Sequence, residues 1–185
     1  ILALSAKAPG LYAESSNGRV APRFYIRGLG NADFDLAASQ PVSIIQDDVV
    51  LENVVLKSSP IYDLDHVEVL RGPQGTLFGR NTTAGIVKFD TIKPGDETKG
   101  RLAATYGSYN TVTLDGGYGG AIVPGKVAVR ASFLLQRRDD YIDNTYTKQE
   151  NALGGFNEKA ARVQLLVTPN DKLSALFNVH GRDLD

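Results

Sequence analysis

Apolar and polar residues alternate with a period of two through the second half of the chain. Val127, Val129 and Phe133 fall on one side of this alternation, and Arg130 and Ser132 fall on the other. Successive side chains of a β-strand point to opposite faces, so the pattern predicts strands with one apolar and one polar face. We predict about five such strands, each roughly 9–11 residues long, centred on the segments 101–106, 111–118, 127–136, 160–167 and 173–180.

The connections between these strands differ in length. The segments 123–125 and 168–171 contain proline beside glycine or asparagine and predict tight turns. The segment 137–158 is polar throughout and is expected to be a long loop, whereas 107–110 is a short connection. Short turns at one end and long loops at the other are typical of outer-membrane β-barrels.

The two faces of the predicted strands differ in charge. Arginine and glutamine fall in mid-strand on the polar face, and no charged residue falls on the apolar face. An arginine that faces lipid at the bilayer midplane costs about 2–4 kcal/mol, so the uncharged face favours a membrane barrel. A soluble β-sandwich also alternates, and it stays open as an alternative on this evidence.

Residues 1–94 show a different pattern, in which short β-forming runs are separated by polar and glycine-rich segments. A short helix or coil is expected first, followed by about four short strands. The segment 93–96 combines proline, glycine and charge and marks the change of pattern, so we predict two domains, 1–94 and 95–185. Loops of the first domain are expected near 13–20, 30–40 and 51–58.

One turn of the first domain is unusually rich in glycine. A strand predicted at 66–70 breaks at Arg71, and a second strand is predicted from about 86 to 91. Glycine loses more backbone freedom on folding than any other residue, so it is usually kept where no other residue fits. The residues that make this turn sterically possible are Gly72, Pro73, Gly75 and Gly79.

The run 68–81, EVLRGPQGTLFGRN, resembles the signature of the plug domain of TonB-dependent outer-membrane receptors. The run 24–28, FYIRG, resembles an earlier strand of that family. The segments 104–111 and 138–144 are similar to the first barrel strands of the same receptors. The resemblance therefore extends over nearly the whole chain.

Two positions depart from the family pattern. Asp48 stands where glycine is common, so a turn there requires an aspartate in the left-handed conformation. The segment 84–87 is one small residue shorter than the usual sequence, which leaves the register of the last plug strand open.

The resemblance implies an α+β plug domain with a small mixed β-sheet, followed by antiparallel transmembrane β-barrel strands. About five strands cannot close a cylinder wide enough to hold a plug, and transporters of this type have on the order of 22 strands. Open sheet edges are not tolerated in hydrocarbon. We therefore expect this chain to be an incomplete part of a plugged barrel of about 22 strands that continues for several hundred residues.

The function implied by the resemblance is TonB-dependent active transport across the bacterial outer membrane. TonB, with its inner-membrane energising complex, pulls on the periplasmic end of the plug in this family. The segment that TonB grips precedes the plug in relatives, and we expect it before residue 1. The expected cargo is a scarce nutrient, first of all a ferric siderophore, and relatives also carry cobalamin, haem and oligosaccharides. Outer-membrane lipid is the other expected partner.

Two groups of candidate site residues follow from the resemblance. The first is expected to lock the plug to the barrel wall, with the arginines paired to barrel carboxylates and Glu68 paired to one of the arginines. Its members are Arg27, Glu68, Arg71, Gly72, Pro73, Gly75, Gly79 and Arg80. The second is expected to face the ligand from the plug loops, and its members are Ser16, Asn17, Asn31, Asp33, Phe34, Asp35, Leu51 and Asn53.

Composition and motifs exclude several other functions. The net charge of −1 provides no basic excess for nucleic acid, and cysteine is absent. Gly28 and Gly30 form a G-x-G without the third glycine and following helix that dinucleotide binding requires. His66 and His180 are the only histidines and no nucleophile or zinc motif accompanies them, so we expect no enzyme, no cofactor and no metal site. The remaining alternative is a soluble plug-like module that binds a ligand or partner without transport.

Overall fold

The computed structural model describes residues 2–15, 22–33, 35, 38–53 and 55–185. The chain divides into two compact units, Ile1–Thr91 and Ile92–Asp185. None of the helices among the described residues is long and apolar enough to cross a membrane.

The first unit contains short strands and single helical turns. Its elements are a 3-10 helix at Leu2–Ala6, β1 at Leu11–Glu14, β2 at Arg23–Ile26, β3 at Val42–Gln46, β4 at Val49–Leu51, a 3-10 helix at Leu56–Ser58, β5 at Leu64–Arg71, α1 at Gly75–Phe78 and β6 at Gly85–Thr91.

The centre of the first unit is a four-stranded mixed sheet in the order β4-β3-β6-β5. Strand β3 runs parallel to β6, and the other two pairs are antiparallel. The core of the unit combines apolar residues of this sheet with residues of the antiparallel pair β1 and β2. The mixed sheet of the first domain is therefore confirmed. The core residues are Leu11, Phe24, Ile26, Val42, Ile44, Ala84, Val87 and Phe89.

The number of strands in the first domain differs from the sequence prediction. The described residues form six strands rather than about four, and the β-forming run 41–50 contributes two of them because it is divided by a turn at Asp47 and Asp48. Both aspartates have positive φ, +49° and +69°, so the left-handed Asp48 is confirmed. The Asp47 carboxylate accepts hydrogen bonds from the backbone N–H and the hydroxyl of Thr91, which ties this turn to the end of β6.

The second unit contains a five-stranded antiparallel sheet in the order β13-β12-β9-β8-β7. Neighbouring strands of this sheet pair through continuous ladders, apart from local register shifts. Most of the strands are longer than the sequence predicts. Their bounds are β7 at Lys99–Gly107, β8 at Thr111–Val123, β9 at Val127–Arg138, β12 at Phe156–Asn170 and β13 at Leu173–Leu184.

The predicted long loop at 137–158 is wrong, because it contains a small hairpin formed by β10 at Ile142–Asn144 and β11 at Gln149–Leu153. Polar side chains build the turn of this hairpin through local bonds to the backbone. The Asn144 side-chain oxygen accepts from the N–H groups of Tyr146 and Thr147, and the Asp143 carboxylate accepts from the N–H of Asn151. A polar sequence here encodes a turn rather than an irregular loop.

The five-stranded sheet exposes its apolar face, and its central strands β9 and β12 bury their polar face. On β12, Val163 is 51% exposed and the next residue, Gln164, is 1% exposed. The ladder places Val163 beside Ala131 of β9 and Val179 of β13, so one apolar row crosses the sheet. Charged residues on the same face occur only near one end of the strands, and these are Arg137, Lys159 and Asp183.

Gly85 provides the first test of this fold. Its φ is +144°, and a Cβ there would lie 2.2 Å from the backbone oxygen of Leu70 and 2.8 Å from Cδ1 of Ile26. We expect Gly85→Ala to lower the free energy of unfolding by about 3–5 kcal/mol, measured by chemical unfolding of the purified protein. Gly72→Ala is the matched control because Gly72 also has positive φ, +94°, but no atom within 4 Å of the added Cβ. It should cost only about 1 kcal/mol, and equal losses would contradict the packing argument.

Candidate functional site

The turn between β5 and β6 is a closed structure that continues the pairing of the two strands. The backbone N–H of Gly72 donates to the oxygen of Ala84 at 2.9 Å, and that of Gln74 donates to the oxygen of Thr82 at 3.1 Å. Between these bonds the chain makes the single turn of α1. The Thr82 hydroxyl then donates to the oxygen of Gly79 at 2.8 Å and fixes the exit from that helix. Hydrogen bonds across its base therefore hold the turn.

Positive φ angles explain most of the glycines in this turn. Gly72 and Gly79 have φ of +94° and +75°, and Asn81 follows at +69°. Asparagine tolerates this region better than most residues with a side chain. Gly75 differs from the other two, because its φ is not positive and the nearest atom to an added Cβ is 3.9 Å away. Nothing in the structure explains glycine at that position.

Glu52 connects the turn to the loop that follows β4. Its Oε1 accepts a hydrogen bond from Nδ2 of Asn81 at 2.9 Å, and its Oε2 lies 3.6 Å from Nη2 of Arg80. The hydroxyl of Ser43 adds a bond of 2.8 Å to the backbone oxygen of Asn81. Sequence reasoning missed Glu52, because it is separated from its partners by 28 and 29 positions and no local motif marks it.

The other predicted locking residues do not form a cluster. Arg71 is exposed at the end of β5, and the described part of the chain contains no ion pair for it. Arg27 is exposed with φ of +53°, and its backbone N–H donates to Gly10. The predicted pairing of Glu68 with an arginine is wrong. Glu68 lies 3.5 Å from Nε2 of His66, because the two residues share a face of β5 at the far end from the turn.

The predicted ligand-facing residues that the structure describes serve mainly local geometry. Asn31 and Asp33 each accept a hydrogen bond from the backbone N–H two residues later, at Asp33 and Asp35 respectively. Asn53 does the same for Val55. These polar residues keep their loops in defined conformations while remaining exposed or half-buried.

One of the predicted ligand-facing residues is misplaced. Leu51 is the last residue of β4 and packs against the core of the unit, so it is not a loop residue. Apolar packing against the sheet decides its position. Ser16, Asn17 and Phe34 lie outside the described residues.

Lys57 is a buried residue beside this site, and no motif in the sequence marks it. Its side chain is 3% exposed, and Nζ donates to the backbone oxygen of Val42 at 3.2 Å. Burial lowers the pKa of Lys57 from 10.5 to about 8, and the Glu52 carboxylate opposes that shift. Glu52 therefore acts on Arg80, Asn81 and Lys57 together.

Comparisons with known proteins give one family. Residues 2–86 match the model of the family described as TonB-dependent Receptor Plug Domain. The pesticin receptor of Yersinia enterocolitica is 28% identical over 165 residues, which cover 89% of this chain and 24% of that protein. The pesticin receptor of Yersinia pestis matches with the same figures.

Solved structures show the same relationship. The ferric yersiniabactin uptake receptor FyuA from Yersinia pestis superimposes with a TM-score of 0.86 and 25% identity, over 96% of this chain and 28% of that one. The pyoverdine outer membrane receptor FpvA from Pseudomonas aeruginosa superimposes with a TM-score of 0.73 and 18% identity, over 95% of this chain and 24% of that one. The chain spans about a quarter of the length of the proteins it matches.

The pKa of Lys57 predicts a pH dependence of stability. Its folded-state pKa lies below its ordinary value, so the unfolded chain binds more protons between about pH 8 and 10.5 and the free energy of unfolding rises with pH there. Lys57→Met removes the buried charge and should stabilise the protein by about 1–2 kcal/mol at pH 7. The gain should shrink as pH rises above 8.

Thermal unfolding of the purified protein at a series of pH values measures this effect. Lys7→Met is the matched control because Lys7 is exposed, and it should shift stability equally at every pH. A constant difference between Lys57→Met and the wild type from pH 7 to 10 would contradict the assignment of a buried charged amine.

Proposed function

We propose that this chain, whose residues 2–86 match the TonB-dependent receptor plug domain model, belongs to a receptor that transports a ferric siderophore across the bacterial outer membrane. The protein lies in that membrane, with residues 1–94 as the plug and residues 95–185 as the first strands of the barrel. The complete barrel has about 22 strands, most of them outside this chain. The transport is energised by TonB and its inner-membrane complex.

One observation supports the membrane assignment most strongly, and it is the exposed apolar face of the five-stranded sheet. A soluble sheet buries its apolar face, whereas a membrane barrel turns that face to lipid and its polar face to the lumen. Leu102, Tyr118, Val163, Phe177 and Val179 are each more than half exposed. The charged residues of this face lie near one end of the strands, where lipid headgroups accept them.

The proposed mechanism is mechanical, with no bond made or broken in the cargo, so the protein is not an enzyme. A barrel wide enough for the cargo would leak, and the plug closes it. The cargo binds to the outward plug loops, which contain Asn31, Asp33, Asp35 and Asn53, together with Ser16, Asn17 and Phe34. TonB then pulls the chain that precedes the plug, and a path opens through the barrel.

Arg71 and Arg80 take different parts in holding the plug. Arg80 is tied to Glu52 within the plug and stabilises the turn itself. Arg71 is exposed and has no ion pair in the described part of the chain, so it is the arginine available to a carboxylate of the barrel wall. Gly72, Pro73 and Gly79 shape the turn that presents it.

The siderophore is proposed from the relatives. The pesticin receptor is similar to this chain in sequence, and the ferric yersiniabactin and pyoverdine receptors are similar to it in fold, and the latter two names state what those proteins bind. Cobalamin, haem and an oligosaccharide are the other cargoes carried by proteins of this class. Growth of a receptor-deletion strain on single iron sources, cobalamin or glycans separates them. Growth restored only on ferric siderophores, and lost again without TonB, supports the proposal, while restoration on another nutrient refutes the cargo.

Val163→Arg separates the membrane barrel from the soluble alternative. Val163 is exposed at the middle of β12, so in a water-soluble protein an arginine there should be nearly neutral. In lipid the same arginine costs about 2–4 kcal/mol, and the folded receptor in outer-membrane fractions should decrease. Val163→Ile is the matched control and should assemble normally. Normal assembly of Val163→Arg, or extraction of the protein without detergent, would favour the soluble module.

Arg71→Glu tests the proposed contact between plug and wall. Charge reversal replaces an attraction by a repulsion from the wall carboxylate, and we expect siderophore uptake by the complete receptor to fall by about tenfold or more. Uptake of radiolabelled iron at equal receptor abundance measures the change. Lys7→Glu is the control for added negative charge, and unchanged uptake with Arg71→Glu would remove the proposed role of Arg71.

A further inference from the structure

Three potential metal ligands meet on one face of β5 and β6, away from the turn at 71–81. His66 and Glu68 alternate on β5, and Asp90 is paired with His66 across the ladder. Nε2 of His66 lies 3.3 Å from Oδ2 of Asp90 and 3.5 Å from Oε1 of Glu68. The three ligand atoms lie within 4.8 Å of one another. One nitrogen and two oxygens therefore converge on a small volume.

The two distances from Nε2 of His66 match the edges of a tetrahedral site. Zinc binds histidine nitrogen and carboxylate oxygen at about 2.0–2.2 Å, so two ligands of a tetrahedral zinc are separated by about 3.3–3.5 Å. Both distances from His66 fall in that range. An ion can therefore enter between these atoms without a large rearrangement of the strands.

The buried oxygen of Asp90 gives an independent reason to expect a cation. Oδ2 of Asp90 is inaccessible to solvent and has no hydrogen-bond donor among the described residues, although Nε2 of His66 is only 3.3 Å away. A buried carboxylate oxygen without a partner is costly. A metal ion between Nε2 and Oδ2 satisfies both atoms.

Asp65 holds the histidine in the form that binds a metal. Its Oδ2 lies 2.7 Å from Nδ1 of His66, and a proton on Nδ1 is shared with this carboxylate, so that the neutral ring presents the lone pair of Nε2 to Glu68 and Asp90. A carboxylate on the second nitrogen is the usual support of a metal-bound histidine. The same hydrogen bond raises the pKa of His66, so protons compete with a metal for Nε2 at low pH.

Charge and exposure also suit a divalent ion. Lys88 lies 3.2 Å from Oδ1 of Asp90 and 3.0 Å from Asp48, so it engages the oxygen of Asp90 that faces away from His66. The carboxylates of Asp48, Asp65, Glu68 and Asp90 outnumber the single positive charge of Lys88, and a divalent ion reduces this excess of negative charge. His66 and Glu68 are about half exposed, so an ion can enter from solvent.

We propose that His66, Glu68 and Asp90 bind one zinc ion, with Asp65 orienting the histidine and the fourth position open to water. An imidazole ligand favours zinc over calcium or magnesium, which prefer oxygen ligands alone. The ion joins β5 to β6 at the end of the sheet opposite the glycine-rich turn.

Isothermal titration of the purified complete receptor with zinc, after removal of metals by chelation, tests the proposal. We expect His66→Gln to lose one equivalent of zinc relative to the wild type. His180→Gln is the matched control because His180 is the other histidine of the chain and lies in the second unit, and it should keep that equivalent. Asp65→Asn should weaken binding by about 10- to 100-fold. Asp90→Asn gives the same loss as His66→Gln if the latter fails to assemble.

Two further measurements distinguish a zinc site from a salt-bridge network. Lys88→Gln removes the competing positive charge and should tighten zinc binding several-fold. Equal zinc binding by the wild type and His66→Gln would overturn the proposal. Displacement of the zinc by millimolar calcium would also overturn it, because the histidine would then not be a ligand.

Discussion

The structure of the second unit depends on one constraint, which is that the two faces of its five-stranded sheet differ in polarity and require different surroundings. The strands pair in one continuous antiparallel sheet, but the apolar face is exposed and the polar face of the central strands β9 and β12 is buried. Apolar surface left in water forfeits roughly 25 cal/mol for each Å², so a row of exposed valines and aromatics is unfavourable there. The same row is favourable against hydrocarbon, which explains why neighbours such as Val163 and Gln164 differ so sharply in exposure.

Most of the fold could be predicted from the periodicity of apolar and polar residues, and specific turns could be predicted from single residues. Alternation from residue 100 onward indicated strands, and Asp48 indicated a left-handed turn that the structure contains. The hairpin of β10 and β11 was not predicted, because its polar side chains form hydrogen bonds to the nearby backbone. Polarity alone does not distinguish such a turn from an irregular loop. The roles of Glu52 and Lys57 were not predicted, because their hydrogen-bond partners are distant in sequence and only the fold brings them together.

From the sequence, the selected residues of the glycine-rich turn are all predicted to have one role, locking the plug to the barrel wall. The structure divides these residues into some that shape the turn and one that is exposed beside it. Gly72, Gly79 and Gly85 supply backbone conformations that a side chain would disfavour, and Glu52 fastens the turn to the adjacent loop. Arg80 belongs to that fastening, while Arg71 stays exposed beside it. A rigid support next to a free charged group is the arrangement that a contact with a separate surface requires.

The antiparallel pairing of β1 with β2 determines how the first unit responds to tension. Leu11 pairs with Ile26, and the next rungs follow towards Glu14 and Arg23. A force on the chain before Leu11 acts on these residue pairs one after another, starting at Leu11 and Ile26, rather than on all of them at once. The parallel pair β3 and β6 lies outside that load path until β1 has detached. We therefore expect β1 to detach under tension before β3 and β6 separate.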